Sequence, residues 1–210
     1  AKHYAAQGFK AIKMQAAHIG DWRQDVRNLR MVRDAVGPDV EIMIDINMGW
    51  TADQAIIAGR AFQDYDPYWI EEPVLPDDFA GYLRVADALT TRVVGGETHF
   101  GRADLKPFLE QPKLPILQSD PMRGGLTELR KIATVAETWG VQFAPHLFPE
   151  LNIHILASSP NGLWSEQMGL LDDVWVHPPV MVQGMQRAPE RPGHGLAFKP
   201  EVLKDFGRPG

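Results

Sequence analysis

Three acids punctuate the sequence at equal intervals: Asp45, Glu71 and Glu97 stand 26 residues apart. Each follows a short apolar run, with EIMI before Asp45, YWI before Glu71 and RVVGG before Glu97. If those runs are neighbouring strands, the three carboxylates leave corresponding positions and crowd together. Their mutual repulsion is then tolerable only around a cation. Magnesium suits the set, because it takes oxygen ligands in near-octahedral geometry at roughly 2.0 to 2.1 Å and keeps positions open for water or substrate. Any one of these acids taken alone is equally well a helix cap or a solvated loop residue. The repeat is what argues for a shared ion. The chain has no cysteine, which removes disulfides and thiolate sites and leaves carboxylate, amide and imidazole as ligands.

The same position, at or just past the end of an apolar run, is held by Lys13 and Gln15, by Asn47 beside Asp45, and by Asp120, His146 and Glu166. The elements that would place them alternate. Strands are predicted at Phe9 to Met14, Glu41 to Ile46, Tyr68 to Ile70, Arg92 to Gly95, Ile116 to Ser119, Val141 to Ala144 and Leu163 to Ser165. Helices are predicted between them at Trp22 to Val36, Thr51 to Tyr65, Asp77 to Leu89, Arg102 to Glu110, Leu126 to Trp139 and Glu150 to Ser158, most opened by Thr, Asp or Pro. Ala1 to Gln7 reads as the last turns of a further helix closed by Gly8. Strict alternation predicts a parallel sheet, either open or closed. An open sheet would string the polar residues along a line, whereas a barrel gathers every strand end around one mouth. The barrel is therefore the expected fold.

Composition narrows the partners. With 44% hydrophobic and 23% charged residues among 210, the chain holds enough apolar material for a sizeable core. A net charge of -6 without a basic stripe argues against nucleic acid. No apolar run approaches a membrane span and no signal peptide opens the chain, so no membrane partner is expected and a cytoplasmic location is the default.

The motifs IDIN at Ile44 to Asn47, WIEEP at Trp69 to Pro73, GGE at Gly95 to Glu97, SDPMRGG at Ser119 to Gly125 and APHLFPE at Ala144 to Glu150, with the Glu166 strand, occur in one order. In that order the chain resembles the mandelate racemase subgroup of the enolase superfamily, from about Gly8 to PGHGLAF. The resemblance implies an α/β, TIM-like (β/α)7β barrel lacking its first strand here, in residues 1-170. Residues 171-210 would form a C-terminal tail that packs on an α+β capping domain absent from this sequence. It further implies that Asp45, Glu71 and Glu97 bind Mg²⁺, that Asp120 and His146 form a catalytic dyad, and that Glu166 hydrogen-bonds the substrate carboxylate. Lys13 matches the first lysine of the subgroup's Lys-x-Lys motif. A small-molecule carboxylate, a hydroxy acid or acid sugar, is the implied substrate, and the full-length form is implied to be a homo-oligomer.

Elementary chemistry makes those roles intelligible. A proton beside a carboxylate is weakly acidic, so the enediolate left by its removal needs strong stabilisation, here from Mg²⁺, Lys13 and a protonated Glu166. Imidazole is suited to take that proton, and an acid such as Asp120 would orient its ring. Gln15 departs from the subgroup, for it stands where the second lysine belongs. An amide cannot serve as a base on the other face of the α-carbon. What remains is a one-sided site in which His146 takes the α-proton and, as imidazolium, protonates a departing β-hydroxyl. That is dehydration of an acid sugar to a 2-keto-3-deoxy acid, with racemisation or epimerisation of a hydroxy acid, or a catalytically inactive metal-binding barrel, as the alternatives. Gln15, Asn47 and His99 are the expected substrate contacts, with Arg123 and His18 as further specificity contacts; His154 reads as a packed core histidine, His194 has no evident partner, and Trp50, Trp69 and Trp164 read as packing. A barrel with seven strands would also keep an open edge, so the chain by itself is expected to fold poorly.

Overall fold

Apolar alternation sorts every strand into two faces, and the two faces build two separate cores. In a computed structural model of the chain, which describes residues 1–18, 20–111 and 113–206, the order begins α1 (Lys2–Ala6), β1 (Ala11–Gln15), α2 (Trp22–Val36), β2 (Glu41–Asp45), α3 (Ala52–Phe62), β3 (Trp69–Glu71), α4 (Phe79–Ala88) and β4 (Arg92–Val94). It continues with α5 (Lys106–Leu109), β5 (Ile116–Leu117), α6 (Pro121–Thr138), β6 (Gln142–Phe143) and α7 (Pro149–Ser158). Outward residues Ile42, Ile44, Ile70, Val93, Leu117 and Phe143 pack against helix residues such as Leu29, Phe62, Tyr82, Phe108 and Ile132. Inward residues Met43, Trp69, Val94, Ile116 and Ala144 form the second cluster, joined by Tyr68, Leu163 and Trp164.

The strands are parallel and run in sequence order, β1-β2-β3-β4 and then β5-β6. An isolated parallel bridge between Gly95 and Leu117 links the two groups. Register places Asp45 beside both Gln15 and Glu71. Contacts across the interior show that the sheet is rolled. Tyr68, at the start of β3, meets Trp164 edge to face at 6.1 Å, and Lys13 on β1 reaches Glu166 beyond the last strand position at 2.7 Å. An open sheet would hold these residues far apart.

Helix starts follow local chemistry. Asp21 caps α2 and Thr51 forms a capping box with Gln54 on α3. The predicted seventh strand, Leu163 to Ser165, is reduced to a single bridge between Phe143 and Gly162, with Leu163 N–H donating to Phe143 O at 2.8 Å. Among the described residues it has one strand neighbour, and that is too little pairing to extend a ladder. The helix predicted over Arg102 to Glu110 keeps regular turns only at Lys106–Leu109, because Asp104 draws the Phe100 and Gly101 amides into a turn. The helix predicted over Leu126 to Trp139 starts earlier, at Pro121, with a break at Gly125 (φ 77°).

Beyond Glu166 the chain makes a 3-10 turn at Asp172–Val174, a hairpin of β7 (Met181–Val182) and β8 (Met185–Gln186), and α8 (Pro200–Phe206). Trp175 stacks on Phe198 and donates from Nε1 to Glu150, which ties this tail to α7. The hairpin turn lies directly on the chain before β1: a Cβ on Gly8 would meet Gln183 backbone at 2.8 Å. Among the described residues, no helix is long and apolar enough to cross a membrane.

Candidate active site

Every strand end that carries a polar residue opens into one mouth. β2 ends on Asp45, which is buried and accepts the Asn47 N–H at 2.9 Å. β3 ends on Glu71, which is fully buried; one oxygen takes the Trp69 indole N–H at 2.9 Å and the other takes Lys13 Nζ at 2.6 Å. Glu97 follows β4 through Gly95 and Gly96. A side chain at Gly95 would strike Tyr82 at 2.7 Å, and Gly96 adopts φ 124°, so both glycines are needed to bring Glu97 round. Arg123 Nε fixes the Glu97 carbonyl at 3.2 Å.

Asp120 serves twice. As the cap of α6 it accepts the Met122 N–H at 2.6 Å through one oxygen, while the other meets His146 Nδ1 at 2.8 Å. Hydrogen bonding of this kind assigns the Nδ1 proton to the Asp120 side and leaves Nε2 facing the mouth. Nε2 stands 3.5 Å from Glu97 and 4.0 Å from Glu166. Glu166 is shared between Lys13 Nζ at 2.7 Å and the Leu147 N–H at 2.8 Å. A cavity of about 520 Å³ runs from here into the barrel, lined by Lys13, Gln15, Asp45, Asn47, His146 and Glu166 among others.

Charge follows from this crowding. Burial, then the charge of Glu71, pushes Asp45 up to about 6; burial, then Glu72, pushes Glu97 up to about 8. Burial opposes the charged form of Lys13, yet Glu71, Glu166 and Asp45 outweigh it and the ammonium is held firmly. Burial likewise opposes charging of His146, but the hydrogen bond to Asp120 and the nearby Glu97 and Glu166 raise it. Burial would raise Glu166 too, but the Lys13 charge and hydrogen bond and the Leu147 amide lower it. Lys13 and the Leu147 amide thus favour the ionised carboxyl of Glu166, the opposite of the protonated form expected from the sequence.

Nine of the ten predicted site residues converge, and His99 does not. Its ring packs between Phe79 and Phe108, with centroids 5.8 and 5.3 Å away, behind β4 instead of over the mouth. The Thr98 and His99 backbone turns back after Glu97, which carries the side chain to the helix layer. His154 is also corrected: it is half-buried and bonds the His194 carbonyl at 3.1 Å, so the tail and not the core holds it.

Two residues beside the site carry signals that spacing alone did not isolate. Glu72 is fully buried in a left-handed conformation (φ 42°), accepts the Thr98 hydroxyl at 2.9 Å, and is pushed by burial up to about 7. Its signal in the sequence was a second acid within an apolar segment, WIEEP. Asn152, fully buried on α7, is the other; only an amide inside the apolar run LNIHILA marked it.

The donor set fits a hard divalent cation. Asp45, Glu71 and Glu97 offer only carboxylate oxygens, and Glu97 Oε2 is buried without a hydrogen-bond partner among the described residues. No three His, Asp or Glu among the described residues already stand in metal-holding geometry; the Lys13 ammonium lies against Glu71 and 3.8 Å from Asp45.

The family model for enolase C-terminal domain-like proteins matches residues 1–202. The 3,6-anhydro-alpha-L-galactonate cycloisomerase of Streptomyces coelicolor is 35% identical over 97% of this chain and 56% of its own length. A racemase from Streptomyces coelicolor A3(2), solved with bound magnesium, superimposes with a TM-score of 0.91 at 34% identity, over 97% of this chain and 57% of that one. L-talarate dehydratase from Polaromonas sp. JS666, solved with Mg and L-glucarate, gives a TM-score of 0.90 at 29% identity, again over 97% and 57%. The chain thus spans a little over half the length of each of these three proteins.

Proposed function

The chain belongs to the enolase C-terminal domain-like family of the enolase superfamily, and on that premise we propose that its protein removes the α-proton of an acid-sugar carboxylate and expels the β-hydroxyl, giving a 2-keto-3-deoxy acid. One observation carries this: His146 Nδ1 is tied to Asp120 at 2.8 Å, so Nε2 faces a cavity that Gln15, not a second base, also lines. Asp45, Glu71 and Glu97 would hold Mg²⁺, which supplies charge stabilisation to the carboxylate oxygens as the α-proton leaves. Lys13 lies within the same acid cluster and gives a second positive charge to that carboxylate. Asn47 and Gln15 would hold its hydroxyls. His146 Nε2 accepts the α-proton; the electron pair left on C2 forms the C2–C3 double bond as the C3–O bond breaks. The imidazolium returns its proton to the leaving hydroxide, so water departs and the enol tautomerises to the keto acid.

A ring oxygen can leave in place of a hydroxyl, and the product then keeps the substrate's mass; similarity to a cycloisomerase favours this second reading. Incubating the protein and Mg²⁺ with a panel of aldonic, aldaric and anhydro-aldonic acids tests both. Keto-acid formation with loss of one water supports dehydration, and keto-acid without mass change supports ring opening. Deuterium gain from D₂O at C2 with inverted configuration and no keto acid would overturn both in favour of racemisation.

A further inference from the structure

We propose that Asn152 is a positioning residue for His146, acting through the backbone that carries the imidazole. The inference rests on the reading of His146 as the base. Leu147 (φ 47°) and Phe148 (φ 39°) follow His146 in left-handed conformations, and neither is glycine. Consecutive residues of this kind persist only where their surroundings hold them. Here the corner is held from two sides. Glu166 takes the Leu147 N–H at 2.8 Å. From the first turn of α7, Asn152 Nδ2 donates to the carbonyls of His146 at 2.9 Å and of Leu147 at 2.5 Å.

The amide orientation is fixed by that network, because the flipped form would aim an oxygen at two carbonyls. Asn152 is fully buried, and its Oδ1 has no hydrogen-bond partner among the described residues. A half-satisfied amide packs worse than an apolar side chain of the same size. What the amide does supply is a pair of donors to the one segment that must stay bent for Nδ1 to meet Asp120 at 2.8 Å. Release of the corner would move His146 away from its partner while Asp45 and Glu71 at the ends of β2 and β3, and Glu97 beyond β4, stayed in place.

The test reads the imidazole directly, without substrate. In proton NMR of the protein in water, the His146 Nδ1 proton bonded to Asp120 gives a downfield resonance, assigned by its loss in His146→Asn. Asn152→Asp keeps the shape but removes both donors. It is expected to lose that resonance while circular dichroism stays that of a folded protein, and kcat on the best acid of the panel should drop about 10²-fold with KM little changed. Glycine takes positive φ without strain, so Asn152→Ala combined with Phe148→Gly should regain the resonance and part of kcat. A folded Asn152→Asp protein with an unchanged resonance would overturn the proposal. If Asn152→Asp does not fold, the double variant decides, and absence of the resonance there overturns it. Turnover of nothing in the panel, with the resonance behaving as described, would instead count against the proposed reaction alone.

Discussion

At the scale of single residues, the site is a balance of like charges held by one lysine. Asp45 is pushed up to about 6 and Glu97 up to about 8, against about 4 for carboxyls in an unfolded chain. Each then binds a proton in the folded state that unfolding releases, so its stabilising contribution is full below about pH 4 and lost as pH rises through about 6 to 8. His146, also raised, loses its contribution in the same direction; Glu166, lowered, acts oppositely but only near pH 4 and below. In the absence of divalent metal the thermal midpoint should therefore fall between about pH 5 and about pH 9. Differential scanning fluorimetry would show it, and a flat or rising midpoint would contradict the charge assignments. His146→Asn should slow α-proton removal by about 10² to 10⁴ while Mg²⁺ affinity by calorimetry stays near wild type. Equal loss of both would move His146 from the chemistry to the metal site.

At the scale of elements, strand ends and helix caps share the same residues. Asp120 caps α6 with one oxygen and orients His146 with the other, and the two duties can be separated. Asparagine caps helices about as well as aspartate, so Asp120→Asn should leave the melting temperature nearly unchanged yet lose most activity. Asp120→Ala should lose activity and also about 1 kcal/mol of stability, a shift of about 2 to 4 °C for a chain of this size. If Asp120→Asn kept full activity, the dyad would be wrong. Elements of this kind were legible in the sequence because apolar runs and caps are local: α2 spans Trp22–Val36 as its periodicity indicates. Equal intervals translated directly only for the first pair, since parallel neighbours in register place Asp45 against Glu71; Glu71 itself pairs with Val94, and Glu97 reaches the mouth through the Gly95–Gly96 bend. What failed depended on tertiary context. A last strand with one neighbour could not be told from one with two. A histidine two residues past a strand end, His99, followed its loop to Phe79 and Phe108. The ionised state of Glu166 depends on Lys13, a residue more than a hundred positions away in the chain.

At the scale of the whole molecule, a sheet rolled tightly enough to join Lys13 to Glu166 is what converts nine scattered residues into one site. Its free margin lies along β1, which pairs only with β2 among the described residues. The adjoining hairpin exposes Val180, Val182 and Met185, each more than 60% accessible. An unpaired edge next to an apolar patch invites association. Light scattering of this chain should show concentration-dependent association that Val182→Lys with Met185→Lys reduces; a monomer at all concentrations would contradict this. Whether three acids spaced along the chain serve one cation is decided by crystals grown with Mn²⁺ as a stand-in for Mg²⁺, the ion being located by its anomalous scattering. One peak is expected, bonded at about 2.1 Å to a carboxylate oxygen of each of Asp45, Glu71 and Glu97, with His146 beside the open coordination positions. A peak lying elsewhere, or bonded to no more than one of the three, would contradict a shared site.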